Sequence, residues 1–285
     1  MIPNAQNAAP EQSVAHPSRL QHWRTRIRED GLGPILKRRL AEVRERFLFN
    51  NWLAGKFVEF RGNRVGYKGL VFSLDNPSIA TPSKSGLLFG RYENDEVDMM
   101  VRHVNPDRPV IELGGSIGVM ACLTNRRLSD PTRHVVVEAN PQLVPTLEAN
   151  RDLNGCKFVV ESAALAYGAD FVEFSFGPSF VTGGLHASTG QSVQVPAVSL
   201  AKLMEKHGFS QASLIMDIEG AEVSLVENEP DLLRTRVEII LMETHERMVG
   251  KDRNDAMTAT LAELGFEVID HRNCVFVLRN RQLTG

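Results

Sequence analysis

From about residue 90 onward, the chain alternates short apolar runs with longer amphipathic stretches. The apolar runs have the length of buried strands, and they lie at 110–111, 135–137, 158–160, 214–216 and 237–242. Helical patterns occupy four stretches before, between or after them, at 93–103, 142–154, 200–207 and 256–264. Apolar strands separated by helices predict an α/β fold whose parallel sheet is buried on both faces.

The last two strands predict one reversed strand in this sheet. Residues 266–269 and 275–278 are apolar runs on either side of Asn273, which favours a turn. Two strands joined by so short a turn must be antiparallel. The sheet is therefore expected to be mixed, with the reversed strand near its edge.

Two segments at the amino terminus differ in composition from the rest. Residues 1–18 are rich in Asn, Gln, Ala and Pro, which predicts a disordered tip. Residues 19–55 predict a basic helical extension with an apolar stripe, and nine basic residues oppose four acidic ones between positions 19 and 46. The stripe favours packing on the same chain or on a second copy, as in a homo-oligomer. An anionic membrane surface or a polyanionic substrate is the alternative.

Residues 56–89 predict a β-rich lead-in to the main domain, which would span 90–285. The strand-like segments 57–60 and 64–67 flank Gly62-Asn63, a pair typical of a hairpin turn. We expect this lead-in to lie over the mouth of the ligand pocket.

An insertion is predicted between the third and fourth strands of the main sheet. Residues 171–176 alternate apolar and polar positions, as an antiparallel strand does, and 193–198 could pair with them. The segment 177–190 between them is rich in Gly, Ser and Thr and contains His186. It could close over an acceptor or be an idle surface connection.

The residues Glu112-Leu-Gly-Gly-Ser-Ile-Gly118 follow the first apolar run of the main domain. A strand that ends at Gly114 can turn sharply, and Gly118 lets the next helix pack close to the strand because it lacks a Cβ. The second apolar run ends in Glu138, whose carboxylate could accept hydrogen bonds from two ribose hydroxyls. This layout is typical of a nucleoside-binding α/β domain.

The glycine pattern alone does not choose between a dinucleotide and S-adenosylmethionine (SAM). Glu112 lies where it could meet the cationic amino-acid tail of SAM, and Ser116 replaces the glycine that normally lets a backbone approach a pyrophosphate. Both residues favour SAM. An NAD-dependent oxidoreductase of the same architecture and a non-catalytic SAM-binding subunit are the alternatives.

Three acids, Asp217, Glu219 and Glu222, follow the apolar run at 214–216. Open α/β sheets bind ligands at the carboxyl ends of their strands, so Asp217 is expected nearest the methyl donor or acceptor. Glu222 falls in the first turn of the next helix, where a carboxylate stabilises the helix and needs no catalytic role.

Glu243 and His245 end the neighbouring strand, and residues two apart on a strand share a face. We expect both side chains to point into one cleft opposite Asp217. The three form the predicted catalytic set, with His245 as the general base because imidazole titrates near neutral pH. A hydrogen-bonded surface histidine is the alternative. The carboxylates of Asp217, Glu219 and Glu243 could gather a divalent cation, but their spacing matches no recognised signature, and no metal is predicted.

Six blocks of sequence, in this order, resemble the FkbM-type family of SAM-dependent methyltransferases. They are Arg91-Tyr-Glu-Asn-Asp-Glu96, Val110-Ile-Glu-Leu-Gly-Gly-Ser-Ile-Gly118, Val137-Glu-Ala-Asn-Pro141, Val195-Pro-Ala-Val-Ser-Leu200, Met216-Asp-Ile-Glu-Gly-Ala-Glu222 and Leu241-Met-Glu-Thr-His245. The block at 216–222 is the most specific. Ser116 departs from the family, which often has Asn or Gly there. The resemblance covers about residues 90–265, and nothing is carried over to the residues before 55.

The resemblance implies a class I, Rossmann-like methyltransferase fold: a mixed seven-stranded sheet with helices on both faces, preceded by the helical and hairpin extension. It implies that SAM is the cofactor and that Tyr92 and Glu93 close over its methionine end. The complete set of predicted SAM-binding residues is Tyr92, Glu93, Glu112, Gly114, Gly115, Ser116, Gly118, Glu138, Ala139, Asn140, Ser162, Ala163 and Asp217.

The acceptor that the resemblance implies is a hydroxyl of a small molecule, a natural product or a glycan. Enzymes that methylate nucleic-acid amines commonly carry an Asn- or Asp-Pro-Pro-aromatic motif after the fourth strand. This chain has Asp217-Ile-Glu-Gly220 there, so a nucleic-acid substrate is not expected.

Composition adds three constraints. A chain of 285 residues with 42% apolar content can bury a full α/β core, and a net charge of −3 does not predict steering toward nucleic acid. Three widely spaced cysteines, Cys122, Cys156 and Cys274, predict free thiols in a reducing compartment. No signal core or membrane-length apolar run is evident, so a cytoplasmic protein without a transmembrane segment is expected.

Overall fold

The structure is a computed structural model that describes residues 50–175 and 192–283 of the chain. The chain divides into two units, residues 1–50 and 51–285, and the description below concerns the second unit. The predicted disordered tip, most of the predicted basic helix and the 177–190 loop with His186 lie outside the described residues.

The lead-in contains a helix where the sequence predicted a strand. Helix α1 spans Asn51–Phe60, and the hairpin that follows it consists of β1 (Arg64–Tyr67) and β2 (Leu70–Ser73). The predicted strand at 57–60 was wrong because Ala54 and Val58, four residues apart, are both buried on one helix face. Gly62-Asn63, both with positive φ, ends this helix and is not the hairpin turn.

A 3-10 helix and two short helices connect the hairpin to the main sheet. The 3-10 helix spans Thr81–Lys84, α2 spans Ser85–Leu88 and α3 spans Asn94–His103. The predicted helix at 93–103 is thereby confirmed.

The main domain then alternates strands and helices as the apolar pattern predicted. Its strands are β3 (Val110–Leu113), β4 (His134–Glu138), β5 (Val159–Ser162), β6 (Ala164–Leu165), β7 (Phe171–Ser175), β8 (Ser192–Val198), β9 (Ala212–Met216), β10 (Val237–Glu243), β11 (Phe266–Arg272) and β12 (Val275–Asn280). Its helices are α4 (Val119–Asn125), α5 (Val144–Leu153), α6 (Leu200–Lys206), α7 (Ala221–Asn228), α8 (Pro230–Arg236), α9 (Glu246–Val249) and α10 (Lys251–Glu263).

Seven of these strands form one mixed sheet in the order β11-β12-β10-β9-β3-β4-β5. Strands β10, β9, β3, β4 and β5 are parallel, and β12 runs antiparallel to both of its neighbours. The predicted reversed strand is therefore confirmed, one position in from the edge. This is the Rossmann-like sheet of class I methyltransferases.

Helices cover both faces of the sheet, which explains why its central strands are apolar at nearly every position. On one face, Ile111 and Leu113 of β3 pack in a cluster with α6, α7, α8 and α10. On the other face, Val110 belongs to a cluster with α3 and with Met120 of α4. The β1–β2 hairpin extends this second layer, because Phe72 clusters with residues of α4 and α5.

The insertion between β5 and β9 forms a separate three-stranded sheet in the order β6-β8-β7. β7 and β8 pair antiparallel, as the alternating pattern predicted, with Val172 opposite Val195. β6 runs parallel to β8. One apolar cluster joins Ala164, Phe174 and Val195, so the inner face of this small sheet is packed.

Two predictions from composition can be compared with the described residues. Cys122, Cys156 and Cys274 are free, and the first two are buried. None of the helices in the described ranges combines the length and the apolar character that a membrane span requires.

Candidate active site

The order in which the chain adds strands to the sheet reverses between β3 and β9. The main cleft of the described structure opens at this point. From β3 the chain adds β4 and β5 on one side, and after the insertion it adds β9 and β10 on the other. Helical connections leave the carboxyl ends of β3 and β9 diverging at such a switch point, which is where open α/β sheets bind ligands. The cleft is lined at this edge by Gly114, Glu138 and Asp217.

Gly114 is required because two strand ends meet at this point. Its φ is +94°, and a Cβ added there would lie 2.0 Å from the carbonyl oxygen of Asp217. The backbone N–H of Asp217 in turn donates to the carbonyl oxygen of Leu113, at 3.0 Å. The absence of a side chain at residue 114 therefore allows Asp217 to approach the glycine turn.

Glu138 is held at the tip of β4 by two backbone donors. Its Oε2 accepts from the N–H of Ser116, and its Oε1 accepts from the N–H of Asn140, each at 2.6 Å. Burial raises the pKa of this carboxyl to about 7, against the opposing effect of those two N–H groups. A carboxylate has about four lone-pair positions, so both oxygens can accept one further bond from the cleft.

Tyr92 and Glu93 form the wall of the cleft that faces Ser116 and Asp217. Both line it, and the hydroxyl of Tyr67 donates to the Tyr92 carbonyl oxygen at 2.8 Å, which fixes this turn against β1. Glu93 has a φ of 44°, unusual for a residue with a Cβ. Burial, with a further contribution from the charge of Asp217, raises the pKa of the Glu93 carboxyl well above its usual range.

Glu112 borders a second, smaller cavity on the other side of Gly114. This cavity is lined by five carboxyl groups, those of Glu93, Glu96, Glu112, Asp217 and Glu243. Glu112 is only 1% exposed, and in the described part of the chain neither of its carboxyl oxygens has a hydrogen-bond partner. Burial raises its pKa well above the usual range. Nε2 of the buried His134 lies 3.5 Å from Glu112 Oε2 without forming a hydrogen bond, so the carboxyl keeps its accepting capacity beside the cavity.

His245 is surrounded by three carboxylates. Its Nδ1 lies 3.0 Å from Glu222 Oε1, and its Nε2 lies 3.2 Å from Asp217 Oδ1 and 3.6 Å from Glu219 Oε2. Burial of the ring lowers its pKa, but hydrogen bonds to Asp217 and Glu222 and their charges outweigh burial and raise the pKa to about 11. The ring is therefore an imidazolium at neutral pH in this state, whereas the sequence predicted a base that titrates near neutrality.

Glu243 and His245 do not share one strand face. Strand β10 ends at Glu243, and His245 lies in the turn before α9. Glu243 Oε1 accepts from the Cys274 thiol at 3.1 Å and lines the smaller cavity. The prediction of a common direction failed because it assumed that the strand continues to His245. Asp217 nevertheless lies between the two residues, next to His245 and in the same cavity as Glu243.

Most of the predicted SAM-binding residues gather at the main cleft. Its lining includes Tyr92, Glu93, Gly114, Ser116, Glu138, Ala139, Asn140, Ala163 and Asp217. Glu112 lines the smaller cavity instead, and among the described residues Gly115, Gly118 and Ser162 line neither. Gly115 and Gly118 contribute through close packing, since a Cβ on them would lie 2.5 Å from Val136 and 2.7 Å from Leu147. Ser162 ends β5, where its backbone pairs with that of Glu138.

Sequence reasoning missed the apolar part of the lining. The main cleft is also bordered by Leu113, Leu143, Leu165, Phe174 and Ile218. Phe174 reaches it from the insertion, where the alternating pattern predicted a strand but not the direction in which the strand faces. Leu143 lies directly before α5. The apolar spacing of that helix was the signal in the sequence that could have identified Leu143 as a lining residue.

The sheet order, the glycine turn after β3 and the acid at the tip of β4 define a class I methyltransferase fold with a nucleoside-type cleft. The model of the methyltransferase FkbM domain matches residues 112–268, more than half of the chain. The protein therefore belongs to the FkbM methyltransferase family, as the sequence blocks had indicated. Among curated proteins, none matches this chain in sequence.

Solved structures share the general fold at low sequence identity. A protein of the NADB-Rossmann superfamily from Streptococcus agalactiae is 12% identical, with a TM-score of 0.41 over 65% of this chain and 68% of its own. An O-methyltransferase from Bacillus cereus in complex with SAH is 12% identical, with a TM-score of 0.38 over 65% and 78%. The ribosomal protein L11 methylase from Lactobacillus delbrueckii subsp. bulgaricus is 12% identical, with a TM-score of 0.38 over 66% and 77%. These values carry no argument about substrate.

Proposed function

We propose that this protein transfers the methyl group of SAM to a hydroxyl oxygen of a small molecule or glycan. The observation that carries the proposal is the position of two carboxylates at opposite edges of one cleft. Glu138 is oriented by the glycine turn, and Asp217 follows the strand on the other side of the switch point. A nucleoside bound at Glu138 would place its 5′ substituent over the turn, toward Asp217.

The donor's adenosine is assigned to the side of the cleft that contains Glu138. The two oxygens of Glu138 would accept from the ribose hydroxyls, while the backbone turn at Ala139 and Asn140 borders the base. Apolar contact with the base would come from Leu143, Leu165 and Phe174. An apolar lining with a few fixed polar groups is typical of a cofactor site.

The methionine end is assigned to Tyr92, Glu93 and Glu112. The carboxyl of Glu112, which makes no hydrogen bond in the described ranges, borders the same small cavity as the carboxyl of Glu93, and this cavity is adjacent to Gly114. An ammonium group could donate to both and would compensate the burial of their charge. Tyr92 would pack beside the sulfonium, since it lines the main cleft next to Ser116.

Transfer would take place beside Asp217. A lone pair of the acceptor oxygen forms the new bond to the methyl carbon, the carbon–sulfur bond breaks, and sulfur keeps that electron pair to give S-adenosylhomocysteine. The hydroxyl proton passes to the exposed carboxylate of Asp217, whose Oδ1 faces His245. His245, already engaged with three carboxylates, orients this group, and Glu243 adds negative charge to the adjoining cavity. Alignment of the three reacting atoms supplies much of the rate.

The charge of the lining limits the class of acceptor. In the described ranges, the residues that line the two cavities include seven acids and no Lys or Arg. A phosphate-rich substrate would find no cationic partner in this part of the lining, whereas a neutral hydroxyl needs none. This favours an uncharged alcohol or sugar over nucleic acid, in agreement with the acceptors that the family resemblance implies.

The proposal is tested by calorimetry and a transfer assay on the full chain. We expect S-adenosylhomocysteine to bind at one site per chain, and NADH not to bind. An acceptor screen with SAM labelled with carbon-13 in the methyl group, read by NMR, would then give a methyl ether. Binding of NADH and not of S-adenosylhomocysteine would instead identify an oxidoreductase. Binding of neither ligand would identify a subunit that does not catalyse methyl transfer. A product methylated on nitrogen would contradict the hydroxyl assignment.

A further inference from the structure

The imidazole of His245 has two different environments on its two nitrogens. Nδ1 faces Glu222, which is 1% exposed and whose Oε1 also accepts from the N–H of Ile218 at 2.9 Å. Nε2 faces Asp217 and Glu219, which are more exposed, with side-chain accessibilities of 46% and 27%. One nitrogen is thus held by a fixed, buried carboxylate, and the other points toward the cleft.

This arrangement is the one that metal-binding histidines commonly adopt. A ligating imidazole usually donates its second N–H to a carboxylate, which fixes the ring and its tautomer. Glu222 has that position at Nδ1. Nε2 is then left as the ligand atom, with two carboxylates beside it.

The distances suit a shared cation. Oxygen and nitrogen ligands bind a transition metal at about 2.0–2.2 Å, so two ligand atoms at tetrahedral or octahedral angles lie about 3.0–3.5 Å apart. The separations from Nε2 are 3.2 Å to Asp217 Oδ1 and 3.6 Å to Glu219 Oε2. Ligand atoms of Asp217, Glu222 and His245 all lie within 4.8 Å of one another. The separation of each of the two oxygens from Nε2 is therefore close to that between two ligands of one ion.

The balance of charge also favours an added cation. In the described ranges, the ion pairs of Asp217, Glu219 and Glu222 are all made with His245. Three carboxylates therefore share a single imidazole. A divalent ion that replaces the Nε2 proton would release that proton to solvent and bring two positive charges to the three carboxylates, where the imidazolium brings one. The exposed side of the cluster leaves positions on the ion for oxygen atoms from the cleft.

We propose that Asp217, Glu219 and His245 bind a divalent transition-metal ion through Oδ1, Oε2 and Nε2, with Glu222 as the positioning residue. One imidazole with two carboxylates suits Mn²⁺, Fe²⁺ or Zn²⁺ better than the all-oxygen sites preferred by Mg²⁺ and Ca²⁺. Asp217 belongs to both this cluster and the main cleft, so the ion would hold an acceptor oxygen beside the methyl donor. This last role rests on the proposed methyl transfer, whereas the metal site itself does not.

The test uses the full chain, stripped with EDTA and titrated with Mn²⁺ alone. The electron paramagnetic resonance signal of free Mn²⁺ should fall until one ion is bound per chain. Glu219→Gln and His245→Ala should each weaken binding about 100-fold or more, and Glu222→Gln about 10- to 100-fold, the usual effect of losing an orienting partner. Glu227→Gln is the matched control for Glu222→Gln, because Glu227 lies on the same helix, α7, but outside the cluster and paired with Arg253. This variant should bind Mn²⁺ as the unmodified protein does.

Two further measurements separate the possible failures. Glu219→Gln keeps the buried Glu222–His245 pair, so it tests the ligand set even if His245→Ala does not fold. Glu96→Gln, in the neighbouring acidic cavity, should not change the affinity for Mn²⁺. The proposal is overturned if Mn²⁺ does not bind, or if Glu96→Gln abolishes binding while Glu219→Gln does not. Calorimetry with S-adenosylhomocysteine on the stripped protein tests the proposed function separately, since the nucleoside pocket does not require the ion.

Discussion

At the scale of single residues, Glu138 combines two requirements that conflict in the absence of a ligand. The carboxylate must be ionised to accept bonds from a ribose, yet its burial raises the pKa to about 7. The backbone N–H groups of Ser116 and Asn140 partly offset that effect. Affinity for a ribose should therefore depend on pH in a range where an ordinary glutamate is fully ionised.

The corresponding prediction uses adenosine, which lacks the amino-acid tail and so isolates the ribose contact. A group whose pKa is raised in the free protein is ionised above that pKa and protonated below it. Affinity for adenosine should be constant above about pH 7.5 and fall as the pH drops through 7, by up to about tenfold per pH unit. Calorimetry from pH 6 to 8.5 measures this, and Glu138→Gln should flatten the profile. A wild-type profile that is already flat would contradict the assignment.

Gly114 gives a second prediction at this scale. Gly114 and Gly155 both have positive φ, +94° and +65°, but only Gly114 has atoms where a Cβ would be placed. Gly155→Ala should cost about 1 kcal/mol in the free energy of unfolding, from backbone strain alone. Gly114→Ala should cost about 1–3 kcal/mol more, because it displaces the Asp217 backbone. Urea unfolding compares the two, and equal costs would show that the close approach is unimportant.

The positions of Asp217, Glu138 and the glycines followed from sequence because each lies within a few residues of a strand end. His245 did not follow in the same way. The sequence placed it on a strand beside Glu243, but its environment depends on where β10 stops and on two carboxylates from the loop before α7. Such a contact is tertiary, and no local pattern indicates that Glu222 would reach its Nδ1.

At the scale of elements, the hairpin β1–β2 is attached to the domain by two asparagines of the α5 region. Asn150 Oδ1 accepts from the N–H of Ser73 at 2.7 Å, and its Nδ2 donates to the carbonyl oxygens of Ser73 and Ile117. Asn154, four residues later, makes the same pair of bonds with Val71. Two side-chain amides thus replace a neighbouring strand along the edge of β2.

Removing one of these amides should lower the free energy of unfolding, and the loss should be larger for the asparagine that is more deeply buried. Asn150 is fully buried, so Asn150→Leu should leave its three backbone partners unsatisfied and cost about 3 kcal/mol. Asn154→Leu, at the more exposed position, should cost about 1 kcal/mol. The free energy of unfolding in urea measures both. A larger loss at Asn154 would contradict this account of the hairpin.

The elements that sequence predicted well are those whose signal is local. The buried strands, α3, α5, α6 and the final hairpin agree with the apolar pattern, and the predicted β7–β8 pair was confirmed. The segment 57–60 was misassigned because a short aromatic stretch fits a strand and a helix equally well. The expectation that the lead-in covers the pocket was wrong as well. Within the described ranges, residues 56–89 do not line the main cleft, and the hairpin packs beside α5 instead.

At the scale of the whole molecule, all the cleft-lining residues that belong to the described part of the chain follow position 90. The lining begins at Tyr92, and the unit that contains it begins at Asn51. Its basic charge and apolar stripe lead us to expect that the segment 19–46 serves association or binding to a surface. The sequence predicts the composition of this segment but not its partner, because an apolar stripe does not specify what covers it.

Two truncations test that expectation. Deleting residues 1–18 should leave the affinity for S-adenosylhomocysteine and the mass in solution unchanged, because a polar, Pro-rich tip buries little. Deleting residues 1–50 should cause aggregation or loss of a subunit, because it removes the apolar stripe and exposes the apolar face that the stripe is expected to cover. Light scattering after size-exclusion chromatography gives the mass. A soluble 51–285 chain with the oligomeric state of the full protein would argue against a docking role.

Binding of the SAM nucleoside to this cleft through Glu138 is measured by calorimetry of S-adenosylhomocysteine on the full chain and on its Glu138→Ala variant. The full chain should bind one molecule, and Glu138→Ala should weaken binding by about 1.5–3 kcal/mol, the cost of losing hydrogen bonds to a charged group. The midpoint of thermal unfolding of that variant should stay close to that of the unmodified protein. Equal affinity in the two proteins, or no binding to either, would contradict the claim.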